Sequence, residues 1–140
     1  MFWQGWEGEA LAAFSYQLLK SHNLSAPATI LSDKRIRAFN GWGKCESGAD
    51  GSKAAKNNPC GTSQKMPGSK DFNSAGVQNY LTRFDGIRAM ALMLNQPNML
   101  SIRAALVTEP FSLKGFADAV IASPWGTDKA CLYSVYGLKQ

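Results

Sequence analysis

The sequence is poor in the groups that most often announce a function. It has one histidine, His22, and three cysteines, Cys45, Cys60 and Cys131, with no C-x-x-C spacing. Too few soft ligands are present for a typical structural zinc site, so no metal and no cofactor is expected. A cysteine–histidine nucleophile would have to recruit His22 from the polar stretch Lys20-Ser21-His22-Asn23, which argues against that chemistry. No window approaches the roughly 18 consecutive apolar residues of a membrane span, and mean hydropathy is −0.20, so membrane insertion is not expected. Basic runs are also missing. The densest group is Lys34, Arg35 and Arg37, so a nucleic-acid interface is not indicated either.

What is present fits one domain. The chain has 140 residues, 45% of them hydrophobic and 18% charged, which suits a single compact unit over 1–140 and excludes wholesale disorder. Fifteen Lys and Arg against ten Asp and Glu give a net charge of +5, which favours polyanionic partners, bacterial cell wall among them. The N-terminus MFWQGWEGEALAAF has no basic start before an apolar stretch and carries Glu7 and Glu9, so it does not read as a secretory signal peptide. The cysteines leave two readings open: a Cys45–Cys60 disulfide closing a short loop and contributing about 3 kcal/mol, or three buried thiols.

Periodicity predicts helices over 7–21, 27–46, 82–94, 98–107, 113–122 and 128–136. In the second, Ser25 is a candidate cap, and Ile36, Phe39, Trp42 and Cys45 share a stripe with Glu46 beside it. Thr82, Ser112 and Asp128 stand at the starts of three later helices, and Asn95-Gln96-Pro97 closes one of them. Residues 47–80 are rich in Gly, Ser, Asn and Pro and show no helical period. They read as a packed, binding-competent loop with a short hairpin. The expected class is mainly α, with five to six helices and this irregular insert after the second.

The chemistry is concentrated in three places. Glu46 sits at the C-terminal end of an amphipathic helix, where apolar neighbours and the helix dipole both raise a carboxyl pKa. A glutamic acid kept protonated near neutral pH is a general acid for glycosidic cleavage, although a solvated Glu near a helix end has the same local sequence. The loop then offers Asn57-Asn58-Pro59-Cys60-Gly61-Thr62-Ser63-Gln64 and Asp71-Phe72-Asn73, with Tyr80 beyond. Amides, hydroxyls and aromatics are sugar-holding groups, and equally turn formers. Finally Ser123-Pro124-Trp125-Gly126-Thr127 presents a tryptophan as a sugar platform or a core plug.

Taken in order, these segments resemble lysozyme-like domains of phage and actinobacterial type over roughly residues 25–128. More distantly they are similar to goose-type lysozymes and soluble lytic transglycosylases. The Glu46-Ser47 pair and the downstream Gln64 loop carry much of that likeness, although Cys60-Gly61-Thr62-Ser63-Gln64 stands where the transglycosylases usually show a Gly-Leu-Met-Gln type sequence. The resemblance implies a lysozyme-like fold and cleavage of peptidoglycan between N-acetylmuramic acid and N-acetylglucosamine. Glu46 would be the general acid, with Thr62, Ser63, Gln64, Asn73, Tyr80 and Trp125 holding substrate. No motif fixes a second carboxylate; Asp50, Asp71 and Asp85 are the candidates. The alternative is a glycan-binding or phage structural module that kept the fold without turnover. The expected partner is bacterial peptidoglycan, met by a monomer or a domain of a larger phage protein, released by lysis or carried in a virion.

Overall fold

The computed structural model describes residues 32–47 and 55–140. Within them the protein is mainly helical: five α-helices, one 3-10 turn and a two-stranded sheet. Helix α1 (Asp33–Ser47) leads through the loop to an antiparallel ribbon, β1 (Lys70–Asp71) and β2 (Gln78–Asn79), with Lys70 opposite Asn79 and Asp71 opposite Gln78. Then come α2 (Arg83–Leu94), the 3-10 turn Pro97–Met99, α3 (Leu100–Val107), α4 (Leu113–Ala122) and α5 (Lys129–Val135). Among these residues no helix is long and apolar enough to cross a membrane.

Ser112 forms the expected cap, and Thr82 and Asp128, expected at helix starts, cap their helices as well. Thr82, Ser112 and Asp128 accept from the backbone N–H groups of Asp85, Gly115 and Cys131 at 3.1, 2.9 and 2.8 Å. Helix α1 starts later than the predicted residue 27: Ser32 is already outside it, and its carbonyl accepts from Arg35 and Ile36 N–H. The Ser25 cap and the 7–21 helix lie outside the described residues.

Phe39 and Trp42 of α1 pack with Leu94, Ile102, Leu106, Phe116 and Val120 in one core. Trp42 stands edge-on to Phe116 at 5.8 Å and to Trp125 at 4.8 Å. Two buried arginines close helix ends: Arg35 Nε donates to the Leu106 carbonyl at 2.5 Å, and Arg103 Nη1 to those of Leu94 and Gln96 at 2.5 and 2.7 Å.

Both cysteine readings are overturned. Cys45 is bonded to Cys131, their Cα atoms 5.8 Å apart, and among the described residues Cys60 is a buried thiol outside any disulfide. The pairing passes over the nearer cysteine because α1 packs beside α5, which brings the end of one helix to the first turn of the other. Cys60 instead turns into the core.

Candidate functional site

The loop between α1 and the ribbon is held by side chains from within it. Asn58 is buried and makes three bonds: its Nδ2 donates to the carbonyls of Thr62 and Gln78, each at 2.8 Å, and its Oδ1 accepts from Thr62 N–H at 2.9 Å. Buried Ser47 donates to the Pro59 carbonyl, tying the end of α1 to the same turn. The ribbon ends in a turn where Asn73 Oδ1 accepts from Ala75 and Val77 N–H at 3.1 and 3.2 Å, and Gly76 supplies the positive φ of 84°. From residue 55 onward the loop is therefore an ordered wall.

Two cavities adjoin across Gly61 and Val77. The smaller, about 120 Å³, is lined by Glu46, Ser47, Asn58, Phe72 and Asn73. The larger, about 320 Å³, is lined by Thr62, Ser63, Trp125 and, from the far side, Met93, Gln96, Asn98 and Met99. Sharing those two walls, they make one candidate groove, with Glu46 lining its smaller half. Among the described residues Glu46 is the only carboxylate lining it. No group of three His, Cys, Asp or Glu among those residues is placed to hold a metal ion.

Glu46 is partly buried, and desolvation raises its pKa above the ordinary carboxylate value. Hydrogen bonding from Thr127 and, less strongly, from Trp125 acts in the opposite sense. The Thr127 hydroxyl accepts from Trp42 Nε1 at 2.9 Å and donates its one proton to Glu46 Oε1 at 3.2 Å. Trp125 directs its Nε1 to the Cys60 carbonyl at 3.2 Å and leans on Trp42, so it is at once a packed ring and a groove wall.

The residues predicted to hold substrate divide. Thr62, Ser63, Asn73 and Trp125 line the groove. Tyr80 does not: it is buried, its hydroxyl donates to the Gln64 carbonyl, and burial pushes its pKa up to about 12. Gln64 is also outside the lining, with its Nε2 donating to the Lys65 carbonyl at 3.2 Å. Of the candidate second carboxylates, Asp71 accepts from Gln78 Nε2 at 2.7 Å across the ribbon, Asp85 lies in the first turn of α2, and Asp50 is outside the described residues.

The sequence singles out no site role for Thr127, Gln96 or Asn98, and offers Phe72 only as part of the sugar-holding loop. Thr127 acts on Glu46 across 81 positions, a pairing without local signal. Phe72 was foreseeable as an aromatic at a hairpin turn; it is 46% exposed, unusual for its type, and it borders the Glu46 cavity. Comparison of the chain with protein-family models, with curated proteins and with solved structures gives no match.

Proposed function

We propose that the protein is a peptidoglycan-cleaving muramidase with a lysozyme-like fold, in which Glu46 is the general acid. The observation that carries this reading is a carboxyl group biased by burial toward its protonated form, in the smaller half of a candidate groove walled by hydroxyls, amides and an indole. The likeness of the Glu46-Ser47, Asn58-Pro59 and Ser123-Pro124-Trp125-Gly126-Thr127 segments to lysozyme-like domains supports it as well.

In this mechanism Glu46 gives its proton to the glycosidic oxygen as the bond from that oxygen to C1 of N-acetylmuramic acid breaks. The resulting carboxylate is stabilised by the Thr127 hydroxyl already directed at Oε1. It then receives a proton from the group that attacks C1. Attack by water yields a reducing end. Attack by the sugar's own 6-hydroxyl yields an anhydro end and needs no second protein carboxylate. Trp125 and Phe72 offer ring faces to the sugar, and Ser63 and Asn73 offer hydrogen bonds.

Digestion of purified cell wall tests the reading. The wild type should clear a wall suspension, and Glu46→Gln should slow clearing by about 10²- to 10⁴-fold, the usual contribution of a positioned general acid. Mass spectrometry of the products separates reducing from anhydro ends. Newly freed peptide amines would show that a different bond is cut. Absence of clearing by the wild type would leave a glycan-binding module.

A further inference from the structure

The far wall of the larger cavity carries chemistry that the proposed cleavage does not use. It comes from the end of α2 and the 3-10 turn, which supply Met93, Gln96 and Met99. The Gln96 backbone is fixed from behind. Buried Arg103 Nη1 donates to its carbonyl at 2.7 Å and to that of Leu94 at 2.5 Å. Met99 N–H donates to the same Gln96 carbonyl at 3.0 Å, and Gln96 N–H donates to the Met93 carbonyl at 3.2 Å. The side chain is much less engaged. Its Nε2 rests on Met93 Sδ at 3.4 Å, and a thioether is a weak acceptor. Among the described residues Oε1 has no partner. A rigid backbone thus presents an amide whose strong acceptor is unused, on a residue that is only half-buried.

The surroundings of that amide decide what it can read. No residue lining the larger cavity is charged, so a carboxylate or an ammonium entering it would lose water without gaining a counter-ion. Met93 places its sulfur against the amide and Met99 lines the same wall, an adaptable apolar surface that suits a methyl group. A bare hydroxyl would satisfy Oε1 and leave that surface uncovered. An acetamido group does both: its N–H donates to Oε1 and its methyl covers the thioethers. Trp125, on the other wall, offers a ring face to the sugar that carries it.

We propose that Gln96 is the residue by which the groove selects N-acetylated hexosyl units over plain ones, reading the acetamido N–H through Oε1 while Met93 and Met99 take the methyl. Arg103 is a positioning residue in this arrangement, acting through the Gln96 carbonyl. The assignment rests on the groove being a glycan site and adds to that reading the group that sets its specificity.

The test compares two neutral trisaccharides, triacetylchitotriose and cellotriose, which differ only in carrying acetamido or hydroxyl at C2. Binding is read by calorimetry in the full chain carrying Glu46→Gln, so that nothing is cut. The acetylated sugar should bind roughly tenfold more tightly, the effect of one hydrogen bond and one covered methyl. Adding Gln96→Met keeps the length and apolar stem but removes the acceptor. It should lower that preference by about three- to tenfold while leaving cellotriose affinity unchanged, which a merely structural role would not do. Adding Gln96→Glu restores an acceptor at the same reach and should restore the preference. Thermal melting equal to that of the parent shows that both variants fold. Unequal binding that disappears in Gln96→Met and returns in Gln96→Glu supports the proposal. Equal affinity of the parent for the two sugars overturns it and leaves the glycan site standing, and so does a preference that Gln96→Met does not change. Binding of neither sugar overturns the glycan reading together with it.

Discussion

Glu46 couples the proposed chemistry to stability, and the two effects share a direction along the pH scale. Its folded-state pKa is raised above the ordinary value of 4.5. At lower pH both folded and unfolded chains are protonated and burial adds no ionisation penalty. As pH rises past 4.5 the unfolded chain ionises first, so stability falls, and the full penalty is present above the raised folded value. Glu46→Gln mimics the protonated form. It should melt with the wild type near about pH 4 and above it near about pH 8, in thermal scans at the two pH values. Activity of the wild type should decline through the same raised pKa as the acid form is lost. Thr127→Val probes the partner. Removing the hydroxyl strips a hydrogen bond from the Glu46 anion and so raises its pKa further, moving the alkaline limb of the activity profile to higher pH. It also orphans the buried Trp42 N–H, at about 1–3 kcal/mol in chemical denaturation. A limb moving to lower pH would contradict this assignment. Phe72→Ala removes an exposed ring, so it should leave the melting temperature within a few degrees while raising the wall concentration needed for half-maximal clearing.

At the scale of elements, α1 decides most of the site, because one helix carries the core stripe, the disulfide and Glu46. Its placement against α5 depends on Gly41. A Cβ there would come within 2.5 Å of Tyr136 Cε1, and Tyr136 cannot readily swing away because its hydroxyl donates to the Ala38 carbonyl. Gly→Ala inside a helix normally stabilises by roughly 0.5–1 kcal/mol. Here Gly41→Ala should instead destabilise by about 1–3 kcal/mol in urea denaturation, and a stabilised variant would refute the close approach. The same helices show what the sequence could and could not reveal. Ser112 was legible as a cap, and Thr82 and Asp128 as helix starts, because capping is local: the hydroxyl or carboxylate reaches an N–H three residues on. The stripe through Phe39 and Trp42 was legible because burial follows the helical period. Tyr80 was not, since a polar loop gives no sign of whether a ring turns in or out; the Gln64 carbonyl decided it by offering a partner inside. The Thr127–Glu46 bond and the cysteine pairing depend on which helices meet, and no spacing in the chain encodes that.

For the whole molecule, the disulfide is the covalent cross-link among the described residues. Cys45 and Cys131 are 86 residues apart, so their bond encloses the loop, the ribbon and the helices α2, α3 and α4, and closes on the first turn of α5. Cross-linking so long a segment removes much freedom from the unfolded chain, an effect of about 4–5 kcal/mol in the chain-entropy account. The bond also lies beside the site: Cys45 precedes Glu46, and Cys131 is four residues after Thr127, whose hydroxyl Glu46 needs. Reduction should therefore act twice. The melting temperature should fall by roughly 10–15 °C for a chain of this size, and clearing at a temperature well below that midpoint should fall as well, because the Thr127–Glu46 contact is no longer clamped from both sides. The double variant Cys45→Ser/Cys131→Ser should reproduce both losses without reductant, while Cys60→Ser, confined to the core, should lower stability without making the protein indifferent to reductant. Equal melting and equal clearing with and without dithiothreitol would show that the clamp does not hold the site, and the proposed acid would then owe its position to the Trp42–Thr127 hydrogen bond alone.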